Sequence, residues 1–325
     1  MNVCLVDGSN LAFKSYSVLK ESRSGLLTNS FGVPTTCIFG LIRTFNALVD
    51  KRAQDRIIVC WDVKGGSYYR KKLYPLYKKN RIYTDMKDYF DELNACREHL
   101  DQFGFNQASA TGIEGDDVIG YLSRKYSDEG HKVLIVSDDK DFFQLVRKNV
   151  KIFRPCKDEI VNLDQVIEDC KVKPFQLAKL KAITGEDVDF IPGICDVDIE
   201  NKKLIKVGLG PAAAIKILGT HKTLNNAIDA WQDAPKAAKQ WGPILKAKRD
   251  NINISYKLAR IRTKDKMYGD WELKLLHELK PRMLEQRTVK FKTVQRLAVS
   301  LEFKTLSIPM ILKKLGIDVK GGSGL

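Results

Sequence analysis

The chain has 325 residues, which is enough for about two domains and a substantial core. Its 55 lysines and arginines outnumber 40 aspartates and glutamates, and the resulting net charge of +15 favours a polyanionic partner such as nucleic acid. No apolar run approaches the roughly 20 residues of a membrane-spanning helix, and Asp7 interrupts the only early apolar run, so neither a spanning segment nor a signal peptide is expected.

The seven cysteines are scattered along the chain and are never spaced as CxxC. This pattern is typical of reduced, packed thiols rather than of a zinc site or a disulfide framework. We therefore expect a cytoplasmic protein.

Three short apolar runs each end in an acid and are predicted to be buried strands. They are residues 3–6 before Asp7, 57–61 before Asp62, and 133–136 before the acidic stretch SDDKD. Apolar residues at helical spacing fill 35–51 and 86–103, between these runs. Strands that alternate with helices predict an α/β fold with a mostly parallel sheet flanked by helices. The carboxyl ends of such strands meet at one edge, so the acids are expected to share a crevice.

The stretch GIEGDDVIGYLSRKY at 112–126 predicts a turn followed by a helix that begins near Glu114. Acids in a first helical turn or at a strand end have ordinary roles as caps, dipole partners and turn formers. Several acids in one crevice are different, because like charges that close must protonate or bind cations. Oxygen ligands without histidine or thiolate favour Mg²⁺ or Mn²⁺. The candidate ligands are Asp7, Asp62, Glu114, Asp116, Asp117, Asp139 and Asp141.

Several carboxylates in one crevice suit two metal ions about 4 Å apart, which can activate water and stabilise the leaving oxygen of a phosphodiester. Hydrolases of the haloacid-dehalogenase type also place an aspartate after the first strand. Their chemistry needs Asp-x-Asp, however, and VDGSN has Ser9 in place of the second acid. The chain contains no GxxxxGK and no strand-bound GxGxxG, so no nucleotide-binding motif is present.

The segment KGGSYYRKKLYPLYKKNR at 64–81 is basic, contains no acid, and has interleaved tyrosines. Most such runs are solvated loops. Here two glycines follow the strand-end Asp62, the tyrosines offer stacking faces for unpaired bases, and the cations can neutralise phosphates. The combination predicts a nucleic-acid-binding segment beside the acidic crevice. After about residue 170, helical patterns punctuated by glycine and proline predict a second domain.

Together these motifs resemble the flap endonuclease and 5′-3′ exonuclease family, over nearly all of residues 3–263. The resemblance is to stand-alone bacteriophage enzymes and to the 5′ nuclease domain of bacterial DNA polymerase I. VDGSNLAFKSY resembles the opening motif, VCWD the second acidic strand, YRKKLYPLYKKNR the helical arch, and GIEGDDVIG and SDDKDFFQL the two acidic motifs. The family implies a PIN-like nuclease core with a helical arch and a helix-hairpin-helix domain.

The resemblance also implies roles for individual residues. It adds Glu186 and Asp189 to the metal ligands, leaves Asp138 without a ligand role, and makes Tyr77 a base-stacking residue. The expected catalytic residues are Lys78, Arg81, Asp7 and Asp62. The expected nucleic-acid contacts are Lys14, Arg70, Lys72, Tyr74, Tyr77, Lys78, Arg81, Gly208, Gly210 and Lys216.

The chain departs from the family pattern at TGEDVDFIPG, where relatives have a stretch like TGDSSDNIPG. Glu186 is one methylene longer than the usual aspartate, and Phe190 replaces an asparagine. The longer side chain could shift the second metal, and Asp187 is the neighbour that could compensate.

A second departure lies in VGLGPAAAIKIL, which resembles the hairpin motif GIGxKTA but has Pro211 in place of lysine. Gly208 and Gly210 would let backbone amides approach a duplex phosphate or expose carbonyls to K⁺. The connection before it is longer than in most relatives and is predicted to be a solvent-exposed hairpin. A calcium site formed by Asp196, Asp198 and Glu200 is the alternative, but the full loop spacing is missing.

The expected domains are a nuclease core at 1–172 with its arch at about 64–95, a duplex-binding domain at 173–265, and a helical appendage with a flexible tail at 266–325. The expected function is two-metal hydrolysis of DNA with a free 5′ end or 5′ flap, and RNA in RNA-DNA hybrids remains a further substrate. A monomer in the bacterial or phage-infected cytosol is expected, with replication proteins as further partners. The rivals are a junction-binding protein whose metal site Glu186 impairs, and a shorter PIN ribonuclease without arch or hairpin domain.

Overall fold

A six-stranded sheet forms the centre of the computed structural model. Its strands are β1 Asn2–Asp7, β2 Arg56–Cys60, β3 Asn106–Ala108, β4 Lys132–Val136, β5 Val150–Arg154 and β6 Glu159–Val161. They lie in the order β3-β2-β1-β4-β5-β6, and every neighbouring pair is parallel except β5 with β6. The predicted fold class is confirmed, and the three strands predicted from acid-terminated apolar runs are β1, β2 and β4.

The structure describes residues 1–23, 25–51, 54–81, 86–219, 221, 223–229, 240–263, 278–279, 283–303 and 306–321. Residues 82–85 of the predicted arch and 322–325 of the predicted tail lie outside this set. No helix among the described residues is long and apolar enough to cross a membrane.

Helices cover both faces of the sheet. They are α1 Gly8–Lys20, α2 Thr36–Lys51, α3 Tyr68–Leu73, α4 Lys87–Gln102, α5 Gly115–Asp128 and α6 Leu163–Cys170. Alternate residues of each strand are buried on opposite faces, so Cys4 and Val6 join one hydrophobic core while Val3 and Leu5 join the other. The helices predicted at 35–51, at 86–103 and near Glu114 are confirmed as α2, α4 and α5.

A third hydrophobic core lies within the second half of the chain. It is built by α7 Leu177–Thr184, α8 Pro211–Leu218, α9 Leu224–Asp229, α10 Gly242–Ala247 and α11 Arg249–Ala259. This separate core supports the proposal of a duplex-binding domain at 173–265.

Between α7 and α8 the chain forms an antiparallel hairpin of β7 Asp196–Asp198 and β8 Lys203–Ile205, as predicted. The hairpin is not solvent-exposed on both faces, because Leu204 is buried. Asp198 accepts hydrogen bonds from the backbone and side-chain nitrogens of Asn201, and Asp196 pairs with Lys248. The acids of the hairpin are thus engaged in local contacts that favour the hairpin over the calcium alternative.

The C-terminal segment packs against the first core. It contains β9 Thr288–Lys290, α12 Phe291–Ser300, α13 Ile308–Lys314 and β10 Asp318–Lys320, with β9 and β10 paired in parallel. Its side chains join Phe45 and Leu48 of α2 in one buried cluster. At Gly316, where φ is +78°, a Cβ atom would lie 2.1 Å from the Asp55 carbonyl oxygen, so this approach requires glycine. We therefore propose that this segment is an integral part of the nuclease core rather than an appendage.

We expect Ile311→Ala to lower the free energy of unfolding by about 2–5 kcal/mol, because it opens a cavity where α13 meets α2. Met310→Ala is the matched control, since Met310 is exposed on the same helix and should change the free energy by less than about 0.5 kcal/mol. Urea unfolding followed by circular dichroism measures both. Equal small losses in the two variants would show that this segment does not belong to the core.

Candidate active site

Four carboxylates reach one crevice at the carboxyl edge of the sheet. We call this group the open cluster; it consists of Asp7, Asp62, Asp116 and Asp139. Asp7 ends β1, Asp62 follows β2, Asp139 follows β4, and Asp116 lies in the first turn of α5. The parallel topology brings them together, because strands that run the same way end at the same edge.

Asp7 is the buried member of the open cluster. One carboxylate oxygen accepts the Asn10 backbone N–H at 3.1 Å and caps α1, and the other accepts the Ser137 hydroxyl at 2.8 Å. Ser137 follows β4, so this hydrogen bond ties the ends of two neighbouring strands together. Both contacts hold the carboxylate in a fixed orientation at the floor of the crevice.

Asp62 holds the start of α5 against the end of β2. Its Oδ1 accepts the Gly115 backbone N–H at 2.8 Å, and its own backbone N–H donates to Ser9 Oγ at 2.8 Å. A Cβ atom on residue 115 would lie 3.1 Å from the Asp62 backbone nitrogen, so glycine permits this close approach. Asp139 Oδ1 accepts the Asp141 backbone N–H at 2.8 Å and so caps the 3-10 helix Lys140–Leu145.

Burial and neighbouring acids raise the pKa values of three members of the open cluster. Burial and then the charge of Asp62 raise the pKa of Asp7 to about 7. Burial, followed by the charge of Asp7, raises the pKa of Asp116 well above its ordinary value, and burial with the neighbouring Asp141 raises that of Asp139. In the described part of the chain, no lysine or arginine forms an ion pair with any of the four. The four acids are therefore brought together without a direct ion-pair partner among the described residues.

Asp117, the neighbour of Asp116, lies in an opposite environment. It is 0% exposed and accepts hydrogen bonds from Arg70 Nη1 at 2.8 Å, Arg70 Nη2 at 3.0 Å and Arg262 Nε at 2.8 Å. Burial alone would raise the pKa of Asp117, but these two guanidinium groups lower it to about 2. Both of its oxygens are occupied by protein donors, so we propose a structural role for this predicted ligand.

Arg70 was predicted to contact nucleic acid, but in the structure its side chain is 4% exposed and also pairs with Glu114 and with the Leu258 carbonyl oxygen. Because two carboxylates hold this guanidinium group inside the protein, we propose a structural role for it. Its role is to join α3 to the start of α5.

The remaining predicted ligands are paired with lysine or arginine side chains. Lys181 Nζ lies 2.5 Å from Asp141 Oδ1 and 2.8 Å from Glu186 Oε2. Burial would lower the pKa of Lys181, but these two acids raise it. Glu186 therefore reaches a protein cation rather than the open cluster, while the exposed Asp187 pairs with Lys206 at 3.0 Å.

Asp189 and Glu114 hold the cations of the predicted arch. Lys78 Nζ lies 2.5 Å from Glu114 Oε1 and 3.8 Å from Asp189 Oδ2, and Arg81 pairs with Asp189. Although burial opposes it, the pKa of Asp189 is lowered by Lys78 and then by Arg81. The two predicted catalytic cations thus lie beside the crevice and rest on acids at its rim.

Tyr77 was predicted to stack on unpaired bases, but it is only 3% exposed. Its ring packs with Ala178, Ile191 and Leu258, and its hydroxyl lies 3.2 Å from Asp189 Oδ2. Because this environment leaves little of the ring accessible to a base, we propose a packing role for Tyr77 in place of the predicted stacking role. Tyr74 is half-buried.

The other predicted nucleic-acid contacts lie at the surface. Lys14 pairs with Asp138 at 2.9 Å. Asp138 was predicted not to be a metal ligand, and this ion pair indicates a structural role for it. Lys72 is exposed at the end of the short helix α3. Gly208, Gly210 and Lys216 are exposed around the start of α8, where backbone N–H groups and a lysine could meet a phosphate.

The open cluster has the composition of a site for a hard dication. Its donors are all carboxylate oxygens, and burial together with neighbouring acids raises the pKa values of Asp7, Asp116 and Asp139. Among the described residues, no three histidine, cysteine, aspartate or glutamate side chains are already arranged so that they could hold an ion. The group fits a dication by chemistry and charge, and its side chains would adjust on binding.

Sequence reasoning missed three residues that organise the site. Ser137 orients Asp7, Arg262 clamps Asp117, and Lys181 neutralises Asp141 and Glu186. Arg262 lies 145 positions from its partner, so no local pattern could connect them. For Lys181 a weak signal existed, because an excess of acids calls for cations and this lysine lies in the helix just before TGED.

Comparisons with known proteins show the family of the chain. The family profile "5'-3' exonuclease, N-terminal resolvase-like domain" matches residues 2–171. A 5′-3′ exonuclease of Aquifex aeolicus is 31% identical over 275 residues, which are 84% of this chain and 84% of that protein. A thermostable DNA polymerase I of Thermus thermophilus is 28% identical over 262 residues, which are 80% of this chain and 29% of the polymerase.

A solved structure shares the fold. The D15 flap endonuclease of bacteriophage T5, crystallised as a pseudo-enzyme-product complex with DNA and metal ions, has a TM-score of 0.63 and 20% sequence identity. The match covers 93% of this chain and 100% of that one. The resemblance that the motifs carried is thereby confirmed.

The adjacent acids Asp116 and Asp117 should have opposite effects on stability. We expect Asp117→Asn to lower the free energy of unfolding at pH 7 by about 3–5 kcal/mol, because Arg70 and Arg262 lose a buried partner. Asp116→Asn should raise the stability of the metal-free protein, because it removes a carboxylate from the repelling cluster. Urea unfolding in the presence of a chelator measures both, and a similar loss in the two variants would contradict the assignment.

The pH dependence follows from the folded pKa of Asp117, about 2, which is below the ordinary value of 3.8. Ionised Asp117 therefore stabilises the fold above about pH 4, and this contribution is lost as the pH falls through about 2. We expect Asp117→Asn to flatten the acid limb of the stability curve. An unchanged acid limb would show that the clamp does not lower this pKa.

Proposed function

Since this chain belongs to the 5′-3′ exonuclease family, we propose that it hydrolyses phosphodiester bonds in DNA near a free 5′ end or 5′ flap, with divalent metal ions at the open cluster. The observation that carries the proposal is the convergence of four carboxylates, without a direct ion-pair partner among the described residues, in a chain of net charge +15. Such a cluster needs dications, and the basic surface favours a polyanionic substrate.

The residues proposed to hold the ion are Asp7, Asp62, Asp116 and Asp139. Mg²⁺ or Mn²⁺ bound there would polarise a phosphate oxygen and favour ionisation of an attacking water. Asp141, Glu186 and Asp189 form a second acidic group, which would hold a second ion only by exchanging partners with Lys181, Lys78 or Arg81.

Lys78 and Arg81 are proposed to bind the reacting phosphate. Both lie on acids at the rim of the crevice, within reach of a substrate that enters beside the arch segment. A phosphate that displaces these carboxylates would gain two charge-assisted hydrogen bonds, and it would be held beside the metal ligands. The two cations would therefore position the scissile group as well as neutralise it.

The second half of the chain is proposed to grip the duplex without reading sequence. Gly208 and Gly210 leave the backbone before α8 open to a phosphate or to K⁺, and Lys216 adds a positive charge on the same helix. Such contacts would also suit the A-form duplex of an RNA-DNA hybrid, because they recognise phosphates rather than base edges.

The alternative of an impaired, junction-binding protein is not favoured. It depended on Glu186, whose longer side chain was expected to disturb the metals. In the structure Glu186 contacts Lys181, and the four acids of the open cluster retain their positions at the sheet edge. The substitution therefore leaves the proposed main ion site intact.

Cleavage of a labelled 5′-flap duplex tests the function. We expect cleavage that depends on Mg²⁺ and stops when a chelator is added. The cleavage rate of Asp139→Asn should be lower by about a hundredfold or more, because loss of a metal ligand should cost more than loss of a residue that supports a ligand. Asp138→Asn is the matched control, since Asp138 is the neighbouring acid but pairs with Lys14 outside the cluster. Equal activity of these variants, or cleavage without divalent ions, would overturn the proposal.

The metal itself can be tested without catalysis. We expect Mn²⁺ to raise the melting temperature of the unmodified protein, because a ligand that binds the folded state stabilises it and also relieves the repulsion among the carboxylates. The shift should be smaller in Asp139→Asn and unchanged in Asp138→Asn. Calorimetry that finds no uptake of Mn²⁺ or Mg²⁺ would exclude the open cluster as an ion site.

Lys78→Ala should slow single-turnover cleavage by about 10²–10³-fold, as loss of one preorganised donor to a developing charge does in other enzymes. Duplex binding should change by less than about tenfold, because many other phosphate contacts remain. Lys79→Ala is the control, since Lys79 is the exposed neighbour. Rates within about threefold for the two variants would remove Lys78 from the catalytic group.

A further inference from the structure

One small hydrophobic cluster joins the β7–β8 hairpin to the loop that carries Phe190. Phe190 packs with Leu204 and Val197 from the inner face of the β7–β8 hairpin. Cys195 completes the group, which we call the arch seat. The partly buried Tyr74 and Leu76, from the segment that resembles the arch, pack against it.

The hairpin has two distinct faces. Val197 and Leu204 are opposite each other in the register, so their side chains lie on the same face, and Leu204 is 7% exposed. Ile205 follows in the strand, points to the other face and is 50% exposed. Only the inner face serves the arch seat, and the outer face supplies a control position of similar size and chemistry.

Polar contacts fasten the same segment to the loop that carries Phe190. The Lys78 backbone N–H donates to the Asp189 carbonyl oxygen at 3.0 Å, and Asn80 Nδ2 donates to the Asp187 carbonyl oxygen at 2.7 Å. Tyr77 reaches the Asp189 carboxylate with its hydroxyl. The segment at 74–80 is therefore held by side-chain packing at one end and by backbone carbonyls at the other.

The backbone at both sides of this junction adopts an uncommon conformation. Lys78 has φ of 57° and Phe190 has φ of 56°, in the left-handed region that asparagine enters more readily than lysine or phenylalanine. A bulky residue persists there only when the surrounding structure holds it. At Phe190 the surroundings are the arch seat, since its ring is 1% exposed. At Lys78 the conformation directs the ammonium group to Glu114.

We propose that the β7–β8 hairpin and Phe190 are positioning elements that hold residues 74–80 and thereby place Lys78 beside the acidic crevice. The hairpin acts on Lys78 through the arch segment, because Tyr74 and Leu76 pack against the cluster to which Leu204 and Val197 belong. The docking itself does not depend on the reaction; only its consequence for Lys78 rests on the proposed function. An asparagine at 190 would suit the backbone but would leave the seat without its central ring.

Limited trypsin digestion of the metal-free full-length chain tests the docking directly. Release of peptides ending at Lys78, Lys79 and Arg81, followed by mass spectrometry, reports how often this segment leaves its seat. We expect Leu204→Ser to speed these cuts at least about tenfold, a factor that corresponds to about 1.4 kcal/mol of lost packing. Ile205→Ser should leave the rates unchanged. Equal rates in these two variants would overturn the proposal.

Two further measurements keep the test decisive. A melting curve shows whether Leu204→Ser folds. If it does not, Val197→Ala takes its place, because this substitution removes less of the arch seat. Phe190→Asn should also speed the cuts, and unchanged cutting would show that the ring does not hold the segment.

Cleavage of the 5′-flap duplex is then measured with folded variants. The rate at saturating DNA should fall in Leu204→Ser while duplex binding stays near normal, because Lys78 is misplaced rather than removed. Faster trypsin cuts with no change in nuclease rate would separate docking from catalysis and overturn the positioning role. Absence of nuclease activity in every form would overturn the proposed function and leave the trypsin result intact.

Discussion

Repulsion among carboxylates at one edge of a parallel sheet is the constraint that shapes this molecule. The topology forces the acids together, since β1, β2 and β4 end side by side. The chain meets the repulsion in two ways. Arginines and lysines pair with one group of acids, as Arg70 and Arg262 do with Asp117, and the four acids of the open cluster have no direct ion-pair partner among the described residues. A site that keeps unfavourable charge where protein cations are available nearby is suited to bind an ion from solution.

The neutralising side chains also connect parts of the fold that are distant in sequence. Arg70 joins α3 to α5 and to the end of α11, and Lys181 joins α7 to the helix after β4. Because each is largely buried, its loss would leave a charge without a partner as well as a gap in the packing. The acidic edge thus fixes where the second half of the chain docks on the first. Stability and the shape of the crevice depend on the same contacts.

The sheet and its acid-terminated strands could be predicted because the spacing of apolar residues is visible within each segment of the sequence. The crevice followed because the carboxyl ends of parallel strands meet at one edge of a sheet. Burial could not be predicted. Tyr77 and Arg70 belong to a segment whose composition suggests a solvated surface, yet both are inside, because partners such as Leu258 come from nearly two hundred positions away. Asp116 and Asp117 are adjacent residues of the same type, so the sequence does not distinguish them. Their side chains leave α5 in different directions, which places Asp116 in the open cluster and Asp117 between Arg70 and Arg262. The packing of 288–320 on α2 left no local signal either.

The arrangement of Lys78 would couple the proposed metal ligands to the substrate. Its ammonium group rests on Glu114 and Asp189, and an ion that attracted either carboxylate would weaken that pairing. Lys78 would then be available to a substrate phosphate. A phosphate, in turn, would draw Lys78 away and leave the carboxylates more negative, which would favour the ion. Under the proposed function, ion and phosphate would therefore assist each other by linkage, because each would remove the competitor of the other. The backbone of residues 74–80 can remain seated throughout, so the coupling requires only side-chain movement.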